Sequence, residues 1–177
     1  MRVIAGSAKG IRLVTREGDD TRPTTDKVKE AVFGSIQFGL AGSRVLDLFA
    51  GSGALGIEAL SRGAESAVFV ERDKKALEAI KENLAAARLT KNARVMASDC
   101  FSAMERLDGR FDYVFMDPPY ASGLYQRAFD MLTEKELADR DTTFVIEHDG
   151  SLVLERAAVK KTKRYGKIYV SFAVIGE

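Results

Sequence analysis

Asp117-Pro118-Pro119-Tyr120 follows the apolar run Phe111 to Met116, and these four residues have the chemistry to grip a planar amino nitrogen. Each proline fixes its own φ and has no N–H to donate, and Pro119 also pushes Pro118 away from helical geometry. Such a loop is stiff, and its carbonyls are left to accept hydrogen bonds. The Asp117 carboxylate beside a loop carbonyl supplies two acceptors for the two hydrogens of an exocyclic NH2, while Tyr120 supplies a flat face on which a base can stack. A conjugated amine held this way is turned toward tetrahedral geometry with its lone pair aimed at an electrophile, which is catalysis by orientation and placed charge. An isolated Asp-Pro-Pro-Tyr reads first as a strand-to-helix turn punctuated by proline, so the rest of the chain has to decide.

Upstream, Arg44 to Phe49 reads as a buried strand that runs into Ala50-Gly51-Ser52-Gly53-Ala54-Leu55-Gly56 and then a helical pattern. Glycines let the backbone turn sharply and approach a ligand, and the helix start behind them offers unsatisfied N–H groups. Gly51, Gly53 and Gly56 satisfy G-x-G-x-x-G, and Glu71 ends the next strand (Ser66 to Val70) about 20 residues on, where a ribose-binding acid belongs. Asp47, just before the loop, argues against a pyrophosphate. It suits instead a ligand with an ammonium and a sulfonium, and S-adenosylmethionine has both. Asp99 follows a third apolar stretch, Ala93 to Ala97, where its carboxylate accepts from an adenine amine and the Cys100 N–H donates to the ring. Three acids at three successive strand ends fit one nucleoside.

The elements that position these residues alternate as an α/β pattern. Strands are expected over 44–49, 66–71, 93–97, 111–116 and 142–147, with helices over 54–62, 73–88, 101–107 and 123–134. Ahead of them, Met1 to Ala5 and Ile11 to Val14 read as a hairpin. Thr24 or Thr25 caps a helix carrying Val28, Ala31, Val32, Ser35 and Ile36 on one face. At the other end, Ala157 to Lys161 and Ile168 to Ile175 join through Tyr165-Gly166 as an antiparallel hairpin. Gly18-Asp19-Asp20 is the one plausible joint. In an open, mostly parallel, doubly wound sheet, ligands collect at the carboxyl ends of the strands, and Asp47, Glu71, Asp99 and Asp117 all fall there.

Composition bounds the reading. With 177 residues and 46% hydrophobic content, the chain buries one core and has little left for a second. Cys100, the single cysteine, has no partner for an internal disulfide. The start of the chain lacks the apolar run of a signal peptide, and no stretch reaches the roughly 20 apolar residues of a membrane span, so a cytoplasmic protein is expected. His148 is the only histidine, which leaves no zinc cluster and no Ser-His-Asp triad. It reads as a strand-end residue. Net charge is only +1, yet Arg2, Lys9, Arg12 and Arg16 share a segment without acids. Arg156, Lys160, Lys161, Lys163, Arg164 and Lys167 form a second basic group near the end. Together they suit a phosphate-binding face, although lysines protecting a sheet edge explain the second group equally well. The first group is expected to ride on a projecting hairpin and to contact RNA through Arg2, Lys9 and Arg12.

Asp47 to Gly56, Glu71, Ser98-Asp99 and Asp117-Pro118-Pro119-Tyr120 resemble the successive motifs of class I S-adenosylmethionine-dependent amino-methyltransferases. Val3 to Leu13 and Arg22 to Phe33 narrow this further. With them the chain resembles the RsmD-type bacterial methyltransferases that modify a guanine N2 amine in small-subunit (16S) ribosomal RNA. The resemblance implies a Rossmann-like fold with residues 1–20 as a hairpin extension and 21–177 as the methyltransferase domain. It implies Asp47, Gly51 and Gly53 at the methionine end of the cofactor, Glu71 on the ribose hydroxyls, and Asp99 and Cys100 on the adenine. Asp117, Pro118, Pro119 and Tyr120 form the target clamp, and Arg22, Thr24 and Thr25 lie over the pocket near the target base. The partner implied is ribosomal RNA, within a partly assembled small subunit. A DNA or protein amino-methyltransferase, a nicotinamide-dependent oxidoreductase and a non-catalytic RNA-binding module are the alternatives.

Overall fold

The computed structural model describes residues 1–15, 26–119 and 123–177. Strands β1 (Arg44–Asp47), β2 (Ser66–Glu71), β3 (Ala93–Ala97), β4 (Tyr113–Met116), β5 (Thr143–His148), β6 (Ala157–Tyr165) and β7 (Ile168–Ile175) make one seven-stranded sheet in the order β3-β2-β1-β4-β5-β7-β6. The first five are parallel and the last two antiparallel. Parallel strands covered on both faces read as continuous apolar runs, and successive side chains go to opposite layers. Val45, Phe69 and Phe115 therefore pack with α1 (Asp26–Leu40), α2 (Ala54–Ser61) and α3 (Lys74–Ala87). Leu46, Val68 and Val114 pack with α4 (Cys100–Met104) and α5 (Leu124–Glu134) on the other side. The fold is the expected Rossmann-like α/β sheet, closed at one edge by the antiparallel β6–β7 hairpin.

Two boundaries move for physical reasons. Strand β1 stops at Asp47 rather than residue 49 because the next amides bond across the sheet end, Leu48 N–H to the Phe115 carbonyl and Ala50 N–H to that of Val70. Strand β4 starts at Tyr113 rather than residue 111, since Phe111 N–H is taken by the Leu137 carbonyl and Asp112 N–H by that of Arg44. The expected cap at Thr24 or Thr25 and the joint at Gly18 to Asp20 lie outside the described residues.

The N-terminal segment corrects a larger expectation. It is held flat against the domain instead of projecting, and its strand pairing reduces to one antiparallel bridge, Arg2 with Arg12. Val3, Ala8 and Leu13 enter the same apolar core as Val32, Phe33, Ile57 and Leu60. Its backbone is also fastened to α2. Ile4 and Ala5 N–H donate to the two Glu58 carboxylate oxygens at 2.9 and 3.1 Å. Ser7 N–H reaches the Ser61 carbonyl at 2.8 Å and Ala8 N–H the Ser61 Oγ at 2.9 Å. Glu58 is wholly buried and paired with Lys29 Nζ at 3.2 Å and Arg62 Nε at 2.8 Å, and Lys29 Nζ also donates to the Arg2 carbonyl. A carboxylate is tolerated at such a depth only when its charge and lone pairs are matched. Gly6 makes the contact possible: its φ is +86°, and a Cβ there would stand 1.8 Å from the Ser61 carbonyl oxygen.

Candidate active site

The four acids stand in a row along the carboxyl edge of the sheet. Asp47 and Glu71 are the last residues of β1 and β2, Asp99 comes two residues after β3, and Asp117 directly follows β4. Because the strands lie in the order β3-β2-β1-β4, the row reads Asp99, Glu71, Asp47, Asp117. With neighbouring strands about 4.8 Å apart, it spans roughly 14 Å, the scale of an extended nucleoside joined to an amino acid. It also straddles β1 and β4, where the winding of the sheet reverses and ligands of such sheets bind.

Each acid sits in a distinct environment. Asp47 is 3% exposed, and its Oδ2 accepts from Gly56 N–H at 3.1 Å. Burial pushes its carboxyl up to about 7, with the charges of Asp117 and Glu71 adding to the rise. A buried acid beside two others favours a cation in the space they share. Glu71 accepts from Gly51 N–H at 2.8 Å through one oxygen, and from Arg72 and Asp73 N–H at 2.8 and 2.9 Å through the other. It thus pins the glycine loop as well as facing the site, a role the sequence did not disclose. Three of a carboxylate's four or so acceptor positions are filled, which leaves one to accept from a ligand donor.

Asp99 is exposed and caps α4, accepting from Ser102 N–H at 3.0 Å. The bonds to Ser102 hold its carboxyl below the usual range. Cys100 opens α4 and is buried, and burial raises its thiol pKa, so its expected contribution is the backbone N–H and not the sulfur. Asp117 is half-buried with its Oδ1 shielded from solvent, Pro118 is buried and Pro119 exposed. Tyr120, Arg22, Thr24 and Thr25 lie outside the described residues. Around the loop, no atom of the described residues other than its chain neighbours comes within 4 Å of where a Cβ on Gly51 would stand, so the described part of the loop's surroundings leaves open space beside it. Gly56 serves the scaffold: a Cβ there would meet the Phe69 ring at 2.3 Å, and its absence lets α2 press onto β2.

The basic residues divide. Arg2, Lys9 and Arg12 are exposed. Arg2 and Arg12 face each other directly, and the hydrogen bonds beside them belong to their neighbours, Val3 N–H to Ile11 and Leu13 N–H to Met1. That is the narrow type of antiparallel pair, in which side chains stand closer and like charges repel. Arg2 is partly offset by Asp26 at 3.3 Å. In the C-terminal group, Lys163 Nζ is spent on Ser35 Oγ at 2.7 Å, Arg156 on Asp130 at 2.9 Å and Arg164 Nε on the Gly166 carbonyl. Lys160, Lys161 and Lys167 remain exposed. His148 ends β5 as expected, buried, bonded to Ser171 Oγ at 2.8 Å and stacked on Tyr169.

Buried polar residues that sequence reasoning missed include Lys29, Glu58 and Asn83. Each interrupts an apolar helix face, which was the available sign. Asn83 shares the stripe of Ile80, Leu84 and Ala87 on α3.

The family described as Conserved hypothetical protein 95 matches residues 1–174. YlbH of Bacillus subtilis is 46% identical over 157 residues, which cover 87% of this chain and 85% of that protein. Ribosomal RNA small subunit methyltransferase D of Escherichia coli is 36% identical over 146 residues, 82% of this chain and 73% of that one. The solved structure of YhhF from Escherichia coli superposes with a TM-score of 0.88 at 28% identity, covering 99% of this chain and 98% of the other. The chain belongs to this family, that of the RsmD-type methyltransferases.

Proposed function

We propose that this protein transfers a methyl group from S-adenosylmethionine to the exocyclic N2 amine of a guanine in small-subunit ribosomal RNA. The observation that carries the reading is the row of acids ending at Asp117-Pro118, with Asp47 buried at its centre. Its supports are family membership and the kinship with a ribosomal RNA small-subunit methyltransferase. The residues suit the cofactor: an open glycine loop, a buried acid that favours a cation, and acids at the spacing of a nucleoside. Asp47 and the Gly51 and Gly53 backbone hold the amino-acid end, Glu71 the ribose, and Asp99 with the Cys100 N–H the adenine. When bound, the cofactor supplies a methyl already activated on a sulfonium. The protein therefore needs no strong base, only placement and stabilisation of developing positive charge. Asp117 and the Pro118 carbonyl orient the amine and receive its hydrogen bonds as charge develops. Tyr120 stacks the base, which must be unpaired or flipped out for its nitrogen to be reached.

In the same reading, residues 1–20 form the RNA-contacting part and 21–177 the methyltransferase domain, with Arg2, Lys9 and Arg12 on phosphates and Arg22, Thr24 and Thr25 near the target base. The substrate is a partly assembled small subunit, because so small a domain has little surface with which to specify one guanine. The protein acts in the cytoplasm, and no metal takes part in the roles assigned. Among the described residues no helix is long and apolar enough to cross a membrane. The test compares methyl incorporation into protein-free small-subunit RNA, assembled particles and duplex DNA, followed by nucleoside mass spectrometry. N2-methylguanine in a ribosomal substrate is expected. Transfer to DNA with none to either ribosomal substrate would refute the RNA assignment.

The facing arginines make a second measurement direct. Replacing Arg2, Lys9 and Arg12 together with Ala is expected to weaken RNA binding and to flatten its salt dependence by about one unit of log–log slope per lost phosphate contact. Cofactor affinity should not change. An unaltered salt slope would place the RNA on another face.

A further inference from the structure

We propose that Asn83 is a positioning residue that couples the cofactor loop to the RNA-contacting N-terminal segment, so that a ligand at either site tightens binding at the other. The inference rests on the function proposed above. Its basis is one buried side chain holding both parts. The Asn83 Oδ1 accepts from Val14 N–H at 2.8 Å, and its Nδ2 donates to the Val14 carbonyl at 2.9 Å and to the Ser52 carbonyl at 2.9 Å. Asn83 is 1% exposed. An amide side chain offers two donors and an oxygen with two lone pairs, and three of these four positions are used on two stretches of backbone far apart in sequence.

The placement of those stretches gives the bonds their meaning. Ser52 lies between Gly51, whose N–H is held by Glu71, and Gly53, which precedes α2. It is the middle of the loop assigned to the amino-acid end of the cofactor. Val14 lies two residues beyond Arg12, on the segment that presents the facing arginine pair, and precedes Arg22, Thr24 and Thr25 in the sequence. Whatever fixes the Ser52 carbonyl also fixes the amide that holds Val14. Packing alone gives no reason for an asparagine here, since the neighbours on its face of α3 are Ile80, Leu84 and Ala87, and a buried amide is costly unless fully bonded. A ligand that orders the loop thus reduces what the second ligand must order, and linkage makes the effect reciprocal.

The fold supplies an internal control. Glu58 and Ser61 hold the earlier part of the segment through Ile4, Ala5, Ser7 and Ala8, and neither is seen bonding the Gly51 to Gly53 loop. Loss of that anchor should weaken RNA binding without changing how it responds to cofactor.

The experiment measures affinity for the ribosomal substrate that accepts methyl groups, with and without S-adenosylhomocysteine, and hydrogen exchange of the free protein under the same two conditions. In the wild type, S-adenosylhomocysteine is expected to tighten RNA binding about five- to tenfold, within the usual range of coupling, and to slow exchange in residues 1–15. Asn83→Asp, measured at a pH where the new carboxyl is ionised, keeps the acceptor for Val14 N–H and loses both donated bonds. It should still bind S-adenosylhomocysteine while the RNA response falls to about onefold. Glu58→Gln should weaken RNA binding in both conditions and keep the ratio. The inference is overturned if wild-type exchange in residues 1–15 ignores S-adenosylhomocysteine, or if Asn83→Asp retains the coupling ratio. Should Asn83→Asp fail to fold, the wild-type exchange alone decides. Failure of the wild type to bind S-adenosylhomocysteine would bring down the proposed function as well, whereas binding and methylation without coupling would sink this inference only.

Discussion

Asp117→Ala is expected to cost about a hundred- to a thousandfold in methyl transfer, the range seen when one placed electrostatic partner of a transition state is removed, while S-adenosylmethionine still binds. Asp117 directly follows β4 and stands beside Asp47 at the far end of the acid row from Asp99. In the proposed reading its carboxylate orients the target amine. An interaction made chiefly as positive charge develops on that amine lowers turnover without lowering cofactor affinity. Asp117→Asn keeps an acceptor oxygen and loses the charge, so its activity should fall between those of the wild type and Asp117→Ala. Single-turnover rates with saturating RNA, paired with calorimetry of the cofactor, separate the two quantities. Parallel loss of binding and turnover in both variants would show Asp117 to be a structural loop residue, and the clamp would have to be abandoned.

Much of this site was legible because its residues are tied to strand ends, and strand ends can be read from apolar runs. Val45-Leu46, Val68 to Val70 and Val114 to Met116 are buried on both faces, so they appear as unbroken hydrophobic stretches, and the acid after each is easily seen. Their order in space was not legible: that Asp99, Glu71, Asp47 and Asp117 form one row depends on β1 lying between β2 and β4, and no local pattern fixes that pairing. The N-terminal segment was misread for a related reason. Its glycines and short apolar runs suggest a free hairpin, but Glu58, Lys29 and Ser61 come from 27 to 54 residues away and capture its backbone. A buried ion pair leaves only a weak mark in sequence, a charge on an apolar helix face, and that mark is easily taken for a solvated one. Glu71 shows the same limit at smaller scale. Its position after β2 was evident, whereas its bond to Gly51 N–H, which makes it part of the loop, exists only in the folded chain.

Raising the pH is expected to pull the stability of the free protein and its affinity for cofactor in opposite directions, with Asp47 responsible for both. Its carboxyl ionises at about 7 in the folded chain, against an ordinary value of 3.8, first because it is buried and then because Asp117 and Glu71 lie near. A folded pKa above the unfolded one means that the folded state holds the proton more tightly. The contribution to stability is therefore complete below about pH 4, declines as pH rises, and is gone above about pH 7. A difference of about three pKa units corresponds to roughly 4 kcal/mol across that window. A ligand bearing a sulfonium and an ammonium reverses the preference, since it interacts best with ionised Asp47. Cofactor affinity should rise from pH 6 to pH 8, and binding near pH 6 should release a proton, detectable by calorimetry in buffers of different ionisation enthalpy. Asp47→Asn removes the titration while keeping an oxygen to accept from Gly56 N–H. In that variant the stability profile should flatten between pH 5 and pH 8, the proton release should vanish, and cofactor affinity should fall at pH 8 much more than at pH 6. If the wild type and Asp47→Asn show the same pH dependence in both measurements, Asp47 does not titrate in this window and the cation-favouring centre of the site has been wrongly assigned.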